Sequence, residues 1–292
     1  MKKIAIILGM TFVFFCFISL QKSGEEVQIQ SENKKIEEIK EEEIKEIQIY
    51  DIEEGYLTVP AVKNAKKHVY NWNNIKFIGN YKYYEDDNYK THIGIDVSTY
   101  QGEIDWEKVK KSGIEFAIIR LGFRGYGTSG KLVLDDRFEE YVDEACNAGI
   151  KVGVYFFSQA INVQEAEEEA EFVLEHIKNK KIEYPICYDL EKIKYVDTAR
   201  ANNLKKEERT QNAITFCNYL NQKGYKTMLY ANAKWLTTEL ELEKLNNYSI
   251  WYADYQDKPL YPYHFEMWQY TEAGTVNGIN GNVDLNLYFE KK

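Results

Sequence analysis

Two acidic side chains follow one apolar run closely enough to act on the same bond. Asp189 and Glu191 come directly after Tyr184–Tyr188, which has the composition of a buried strand. On an extended strand, residues two apart point to the same face, with Cα atoms about 6.5–7 Å apart. One carboxyl group of such a pair can protonate a leaving oxygen while the other opposes the positive charge that develops on a sugar ring. The spacing therefore favours glycoside hydrolysis as the chemistry of this pair.

Further candidate site residues stand at the ends of other predicted strands. Asp96 follows the run His92–Ile95, and Asp284 lies in the last predicted strand. The remaining candidates are one acid and five aromatic residues: Tyr155, Tyr230, Trp251, Asp254, Trp268 and Tyr270. Sugar rings present flat C–H faces to aromatic rings, so acids combined with aromatics suit a saccharide better than a phosphate. Structural roles are the alternative for all of these residues. Acids are common at exposed strand ends, Asp96 could serve only to cap a turn, and the aromatic residues could belong to the core. The apolar runs before the acids are what favours a site.

Apolar runs alternating with helical patterns predict the elements that hold these residues. The eight predicted strands cover residues 93–97, 115–121, 151–157, 185–190, 226–231, 249–253, 265–270 and 282–287. Four of the segments between these strands have the pattern of amphipathic helices, and three of them lie near residues 138–149, 162–177 and 205–223. An α/β barrel, irregular in its last third, is predicted, with its working residues at the carboxyl ends of the strands. An open doubly wound sheet is the alternative.

Composition excludes several classes of function. The 292 residues include 37 lysines and arginines against 47 aspartates and glutamates, a net charge of −10, which leaves no basic surface for nucleic acid. The four cysteines are scattered and there are four histidines, so neither a disulfide framework nor a zinc site is indicated. The sequence has no Gly-rich phosphate loop and no GxSxG elbow. We therefore expect no cofactor and no metal.

The first 91 residues form three segments of different composition. Residues 1–24 begin with two lysines and an uncharged run, Ile4–Leu20, and are predicted to be a signal peptide or a signal anchor. Residues 25–54 hold twelve acidic residues and four lysines, which predicts a solvated spacer with room for a short helix. Residues 55–91 are a lead-in of unknown role. The protein is therefore expected to be exported, either anchored in the cell envelope or secreted, and to touch the membrane through its N-terminal segment alone.

Several motifs between residues 92 and 290 together resemble glycoside hydrolase family 25, the Chalaropsis-type lysozymes. The opening match is Gly94–Gly102, followed by Ile104–Trp106 and Phe116–Arg120. Further matches follow in order: Gly153–Phe157, Pro185–Glu191, Leu229–Tyr230, Trp251–Ala253, Trp268–Tyr270, Gly278–Ile279 and Val283–Asn286. Asp254 departs from the pattern, because an uncharged polar residue is frequent there. The resemblance does not extend to residues 1–91.

The resemblance implies a retaining N-acetylmuramidase on a (β/α)5(β)3 TIM-like barrel, spanning residues 92–292. Its four acidic positions fall on Asp96, Asp189, Glu191 and Asp284, with Glu191 as the general acid. The implied partner is the glycan strand of peptidoglycan, and we expect a monomer. A catalytically silent wall-binding module with the same groove is the alternative function, although it predicts the loss of an acid. A third hypothesis makes residues 25–54 an adaptor and the barrel its cargo.

Overall fold

The computed structural model describes residues 45–292. The predicted signal or anchor and most of the predicted acidic spacer lie outside the described residues. Within residues 45–292, no helix is both long enough and apolar enough to cross a membrane. The compact unit that contains the barrel begins at Gln48.

Eight strands close into a barrel. In chain order they are β5 (Tyr89–Val97), β6 (Phe116–Arg124), β8 (Lys151–Phe157), β9 (Ile186–Asp189), β10 (Thr227–Asn232), β11 (Ser249–Ala253), β12 (Met267–Gly274) and β13 (Val283–Lys291). Each pairs with the next, and β5 pairs with both β6 and β13, which closes the ring. A short strand, β7 (Leu132–Leu134), lies antiparallel to the end of β6. The eight predicted strands are confirmed, and the open sheet is excluded by the pairing of β5 at both edges.

Helices cover the first part of the barrel. They are α1 (Trp106–Lys111), α2 (Phe138–Asn147), α3 (Val163–Ile177) and α4 (Lys206–Gln222). Helix α3 begins as predicted, because the Asn162 side chain accepts a hydrogen bond from Glu165 N at 2.9 Å. Two short segments, Trp235–Glu239 and Leu242–Leu245, follow β10. No helix follows β11 or β12 in the described chain, which is the predicted irregularity of the last third.

Residues before the barrel cover the outer face that these missing helices leave bare. They form strands β3 (Ile75–Ile78) and β4 (Tyr81–Tyr84), preceded by the turn Trp72–Asn74. Tyr70 stacks on Phe289 of β13 with ring centres 4.2 Å apart, and its hydroxyl donates to Phe265 O at 2.7 Å. Trp72 lies parallel to Phe265 at 5.9 Å. Much of the predicted lead-in segment therefore packs against the outer face of the barrel.

The end of the predicted acidic spacer is a β-hairpin. Strand β1 (Glu46–Asp51) pairs with β2 (Gly55–Pro60) in a two-stranded sheet. Ile49 and Asp51 are buried. The composition of this segment predicted instead a solvated spacer with a possible short helix. The expectation is corrected for residues 46–54. Alternating burial along Gln48–Asp51 gives the two-residue period of a strand packed on one face.

Candidate active site

The four predicted acids meet in one cavity. Asp96, Asp189, Glu191 and Asp284 line a space of about 270 Å³ at the carboxyl ends of the parallel strands. Asp284 reaches the same end from the start of β13, because this strand runs antiparallel to β5 and pairs Asp284 with Asp96. A larger cavity of about 700 Å³ contains none of these acids and is lined instead by residues such as Lys66, Lys151 and Tyr288.

Packing inside the barrel fixes the position of Asp96. Its neighbour Gly94 leaves room for the ring of Phe116, because a Cβ at residue 94 would lie 2.3 Å from Phe116 Cζ. Asp96 Oδ2 accepts hydrogen bonds from Gln269 Nε2 at 2.9 Å and Asn286 Nδ2 at 2.8 Å. Trp251 Nε1 in turn donates to Asn286 Oδ1 at 2.8 Å and orients its amide. Asp96 is therefore held rigidly.

Asp96 and Asp284 lie opposite each other on the paired strands β5 and β13, so each carboxyl group affects the ionisation of the other. Burial raises the pKa of Asp96, although the bonds from Asn286 and Gln269 oppose the rise. Burial also raises the pKa of Asp284, and the negative charge of Asp96 adds to the effect. Two carboxyl groups this close cannot both ionise easily.

Glu191 has the protonation behaviour expected of a general acid. Burial raises its pKa to about 7, and the charges of Glu53 and Asp96 add to the rise while Lys194 opposes it. A group with such a pKa carries a proton at mildly acidic and neutral pH and can release it during reaction. A raised pKa of this kind is what the role of general acid requires.

Asp189 differs from the expected partner in one respect. It is 5% exposed, and its Oδ1 is buried without a hydrogen bond from any described residue. Burial raises its pKa well above the usual value, with further contributions from Glu191 and Asp96. A carboxylate that stays ionised throughout is the usual expectation for the partner of a general acid, but the structure gives Asp189 a poorly stabilised charge.

Arg120 is a cation that lines this site, and the candidates from sequence did not include it. It lines the cavity and lowers the pKa of Asp189. Its Nε donates to Asp135 Oδ2 at 2.6 Å, and its guanidinium lies over the Tyr100 ring at 5.0 Å from the centre. Arg120 directly follows the apolar run Phe116–Ile119, just as Asp96 follows His92–Ile95. A search for polar residues after predicted strands would therefore have identified it.

The aromatic candidates divide between the cavity and the core. Tyr155 lines the cavity. Tyr230 is 6% exposed and donates its hydroxyl hydrogen bond to Gln269 Oε1 at 2.9 Å, and Trp251 is buried beside it with ring centres 4.6 Å apart. Both belong to the cluster inside the barrel. Tyr230 and Trp251 therefore support the floor of the site, and the predicted glycan contacts are corrected for them.

Three other candidates lie away from the cavity. Trp268 is fully buried, and Lys82 Nζ lies 4.6 Å from its ring centre. The Tyr270 hydroxyl accepts a hydrogen bond from Lys82 N at 3.3 Å. Asp254 is buried, accepts the Tyr252 hydroxyl at 2.6 Å and has its pKa raised to about 6 by burial. All three are structural in this arrangement, which corrects their prediction as substrate-binding residues.

Comparisons with known proteins identify the family of the barrel. The family model described as Glycosyl hydrolases family 25 matches residues 95–279. An autolytic lysozyme of Clostridium acetobutylicum is 28% identical over 198 residues, 68% of this chain and 56% of its own length. Lysozyme M1 of Streptomyces globisporus is 28% identical and covers 67% of each chain.

The fold of the chain is also similar to that of a solved structure. The modular autolysin LytC of Streptococcus pneumoniae, in complex with a synthetic peptidoglycan ligand, superposes with a TM-score of 0.57 and 28% identity. The match covers 68% of this chain and 46% of that chain. The chain therefore spans about half the length of the C. acetobutylicum and S. pneumoniae proteins.

Proposed function

The chain belongs to glycosyl hydrolases family 25, and from this premise we propose that it is a lysozyme. As an N-acetylmuramidase it would hydrolyse the β-1,4 bond between N-acetylmuramic acid and N-acetylglucosamine in peptidoglycan, with retention of configuration. The observation that carries the proposal is the meeting of four carboxyl groups in one cavity at the barrel mouth. Similarity to two proteins named lysozymes supports the choice of substrate.

Glu191 is the general acid in this mechanism. It protonates the glycosidic oxygen as the bond to the anomeric carbon breaks. Its pKa of about 7 lets it hold the proton in the free enzyme and give it up to the leaving sugar. Its position two residues beyond Asp189 places both groups at the carboxyl end of β9.

Asp189 opposes the positive charge that develops on the sugar ring. Because its carboxylate is poorly stabilised in the buried cavity, it gains most when a cation forms beside it, and this gain is specific to the transition state. Two routes retain configuration. Asp189 either attacks the anomeric carbon or orients the substrate's 2-acetamido group, which then acts as the internal nucleophile. We favour the acetamido route, because the substrate carries this group beside the reacting carbon; a glycosyl ester trapped on Asp189 would exclude it.

Asp96 and Asp284 position the reacting pair. Asp96 is fixed by Gln269 and Asn286 and adds negative charge near Glu191 and Asp189. Tyr155 and the exposed ring of Tyr100 supply flat faces at the cavity for the sugar. A silent binding module is the weaker alternative, since all four acids are present and converge with perturbed pKa values.

The identity of the new reducing end tests the proposal. Purified protein is incubated with peptidoglycan, and the released fragments are reduced with borohydride and analysed for sugar alcohols. We expect N-acetylmuramitol, because hydrolysis of this bond leaves N-acetylmuramic acid at the reducing end. N-acetylglucosaminitol instead would assign the other glycosidic bond, and intact glycan with tight binding would favour the silent module. Proton NMR of the first product should show the β-anomer if configuration is retained.

We also propose that the protein acts outside the cytoplasm, where peptidoglycan lies. The basic start and uncharged run of residues 1–20 support export, by a cleaved signal or as an anchor. Cell fractionation with an antibody to the barrel should find the protein in the envelope or the medium, and its mass distinguishes the two forms. A full-length cytoplasmic pool as the main form would contradict export.

A further inference from the structure

The tip of the N-terminal hairpin, Asp51–Glu54, lies at the mouth of the barrel. Ile52 packs against the interior cluster that contains Tyr230 and Trp251. Lys194 Nζ forms an ion pair with Glu53 Oε1 at 3.2 Å, and Lys234 pairs with Glu54. Both lysines follow the carboxyl ends of barrel strands, β9 and β10. The tip is therefore beside the strand end that carries Asp189 and Glu191.

Local hydrogen bonds hold this tip in one conformation. Asp51 is 1% exposed, and its Oδ1 accepts hydrogen bonds from the backbone N–H groups of Glu53 and Glu54, both at 3.0 Å. The next strand is tied to the barrel as well, because the Tyr56 hydroxyl donates to Gln256 Oε1 at 2.9 Å. The packing of Ile52 and the turn capped by Asp51 thus fix the backbone position of Glu53.

Charges from several elements face Glu191. The acidic neighbours are Asp189 at the end of β9, Asp96 on β5, Asp284 on β13 and Glu53 at the hairpin tip. The hydroxyl groups of Tyr230 and Tyr255 also lie near Glu191 and are uncharged. Lys194, on the loop after Glu191, is the cation that opposes the raised pKa of Glu191, and Arg120 lines the same cavity beside Asp189. A positive charge near Glu191 favours its ionised form, so Lys194 works against a general acid. Among these charges, that of Glu53 has the largest effect on the pKa of Glu191.

We propose that Glu53 is a positioning residue for the reaction: it pairs with Lys194, offsets that positive charge and thereby keeps the proton on Glu191. The inference deepens the proposed function, because it requires Glu191 to act as the acid. Glu53 precedes the family-matched region, which begins at residue 95. The hairpin therefore contributes to the active site a group that the family model does not cover.

Direct titration of Glu191 tests this role in the full chain. The protein is labelled with ¹³C at glutamate carboxyl groups, and the Glu191 signal is identified by its loss in Glu191→Gln. In Glu53→Gln, Lys194 is no longer offset, so the Glu191 titration should move down by about 0.5–1 pH unit. In Lys194→Met it should move up, and the double variant should return close to the parent. The alkaline limb of the kcat profile against pH should move in the same directions.

Glu54→Gln is the matched control, since it breaks a similar ion pair at the same tip with Lys234 rather than Lys194. It should leave the Glu191 titration unchanged, and melting curves should show that all variants are folded. An unchanged titration in Glu53→Gln overturns the inference, even in an active muramidase. An equal shift in Glu54→Gln also overturns it, because the effect would then come from the tip as a whole. Absence of muramidase activity in the parent overturns the proposed function instead, whatever the titration shows.

Discussion

Glu191→Gln is expected to lower kcat on peptidoglycan by about 2 to 4 orders of magnitude and to melt close to the parent. The amide keeps the shape of the side chain but carries no proton that it can give to the leaving oxygen. Activity of the parent should fall as the pH rises above about 7, because the raised pKa of Glu191 keeps the working form protonated below that value. The variant's small remaining activity should lack this alkaline limb.

A substrate with a good leaving group provides the control. In an aryl glycoside of the same sugar, the leaving group departs as a stable phenolate, and its oxygen needs little protonation. Glu191→Gln should therefore lose much less activity on this substrate. An equal loss on both substrates would show that Glu191 acts on a step other than leaving-group departure. Full activity on peptidoglycan would remove Glu191 from the mechanism.

The sequence was informative where a local pattern determines position. Apolar runs of strand length predicted all eight barrel strands, and a residue that follows such a run reaches the common edge of a barrel. Asp96, Asp189 and Glu191 were located in this way, although Asp96 is far from the other two in the chain. Arg120 obeys the same rule, but a lone arginine at a strand end does not by itself indicate glycoside hydrolysis as a pair of acids does.

The sequence was less informative about which side of a strand a residue faces. Gln269 points inward to Asp96, so its neighbours Trp268 and Tyr270 must point outward. Their burial there depends on residues nearly 200 positions earlier, such as Lys82 and Trp72. Residues 55–91 show no clear period, because much of this segment covers the outer face of the barrel as short strands and turns instead of forming a layer of its own. Such non-local packing leaves little signal in a single sequence.

Charge composition also misled at the hairpin. A run of acidic residues predicted solvation, and Glu53 is in fact partly exposed. The two apolar residues that anchor the hairpin, Ile49 and Ile52, are too few to stand out in that run. One of them nevertheless packs into the barrel mouth, which brings Glu53 to the active site.

Asp189→Asn is expected to raise stability at neutral pH while it lowers kcat by about 2 to 3 orders of magnitude. The loss of activity follows because the amide, unlike the carboxyl group, has no ionised form that can oppose a developing cation. The gain in stability follows because the folded protein holds Asp189 in a buried site that disfavours its charge. A gain of roughly 1–2 kcal/mol at pH 7 corresponds to an increase of several degrees in Tm for a chain of this size.

The pH dependence of this gain identifies its cause. The pKa of Asp189 is raised on folding, so the unfolded chain releases the proton first as the pH rises above about 4, and the folded parent loses stability from there upward. The asparagine does not titrate; its advantage in Tm should therefore be small below pH 4 and grow toward pH 7. Asp135→Asn is the matched control, because Asp135 is also buried but pairs with Arg120 at 2.6 Å, and it should lower Tm at pH 7. A lower Tm in both variants would mean that Arg120 already compensates the charge of Asp189, and that the catalytic carboxylate is not held at a cost to folding.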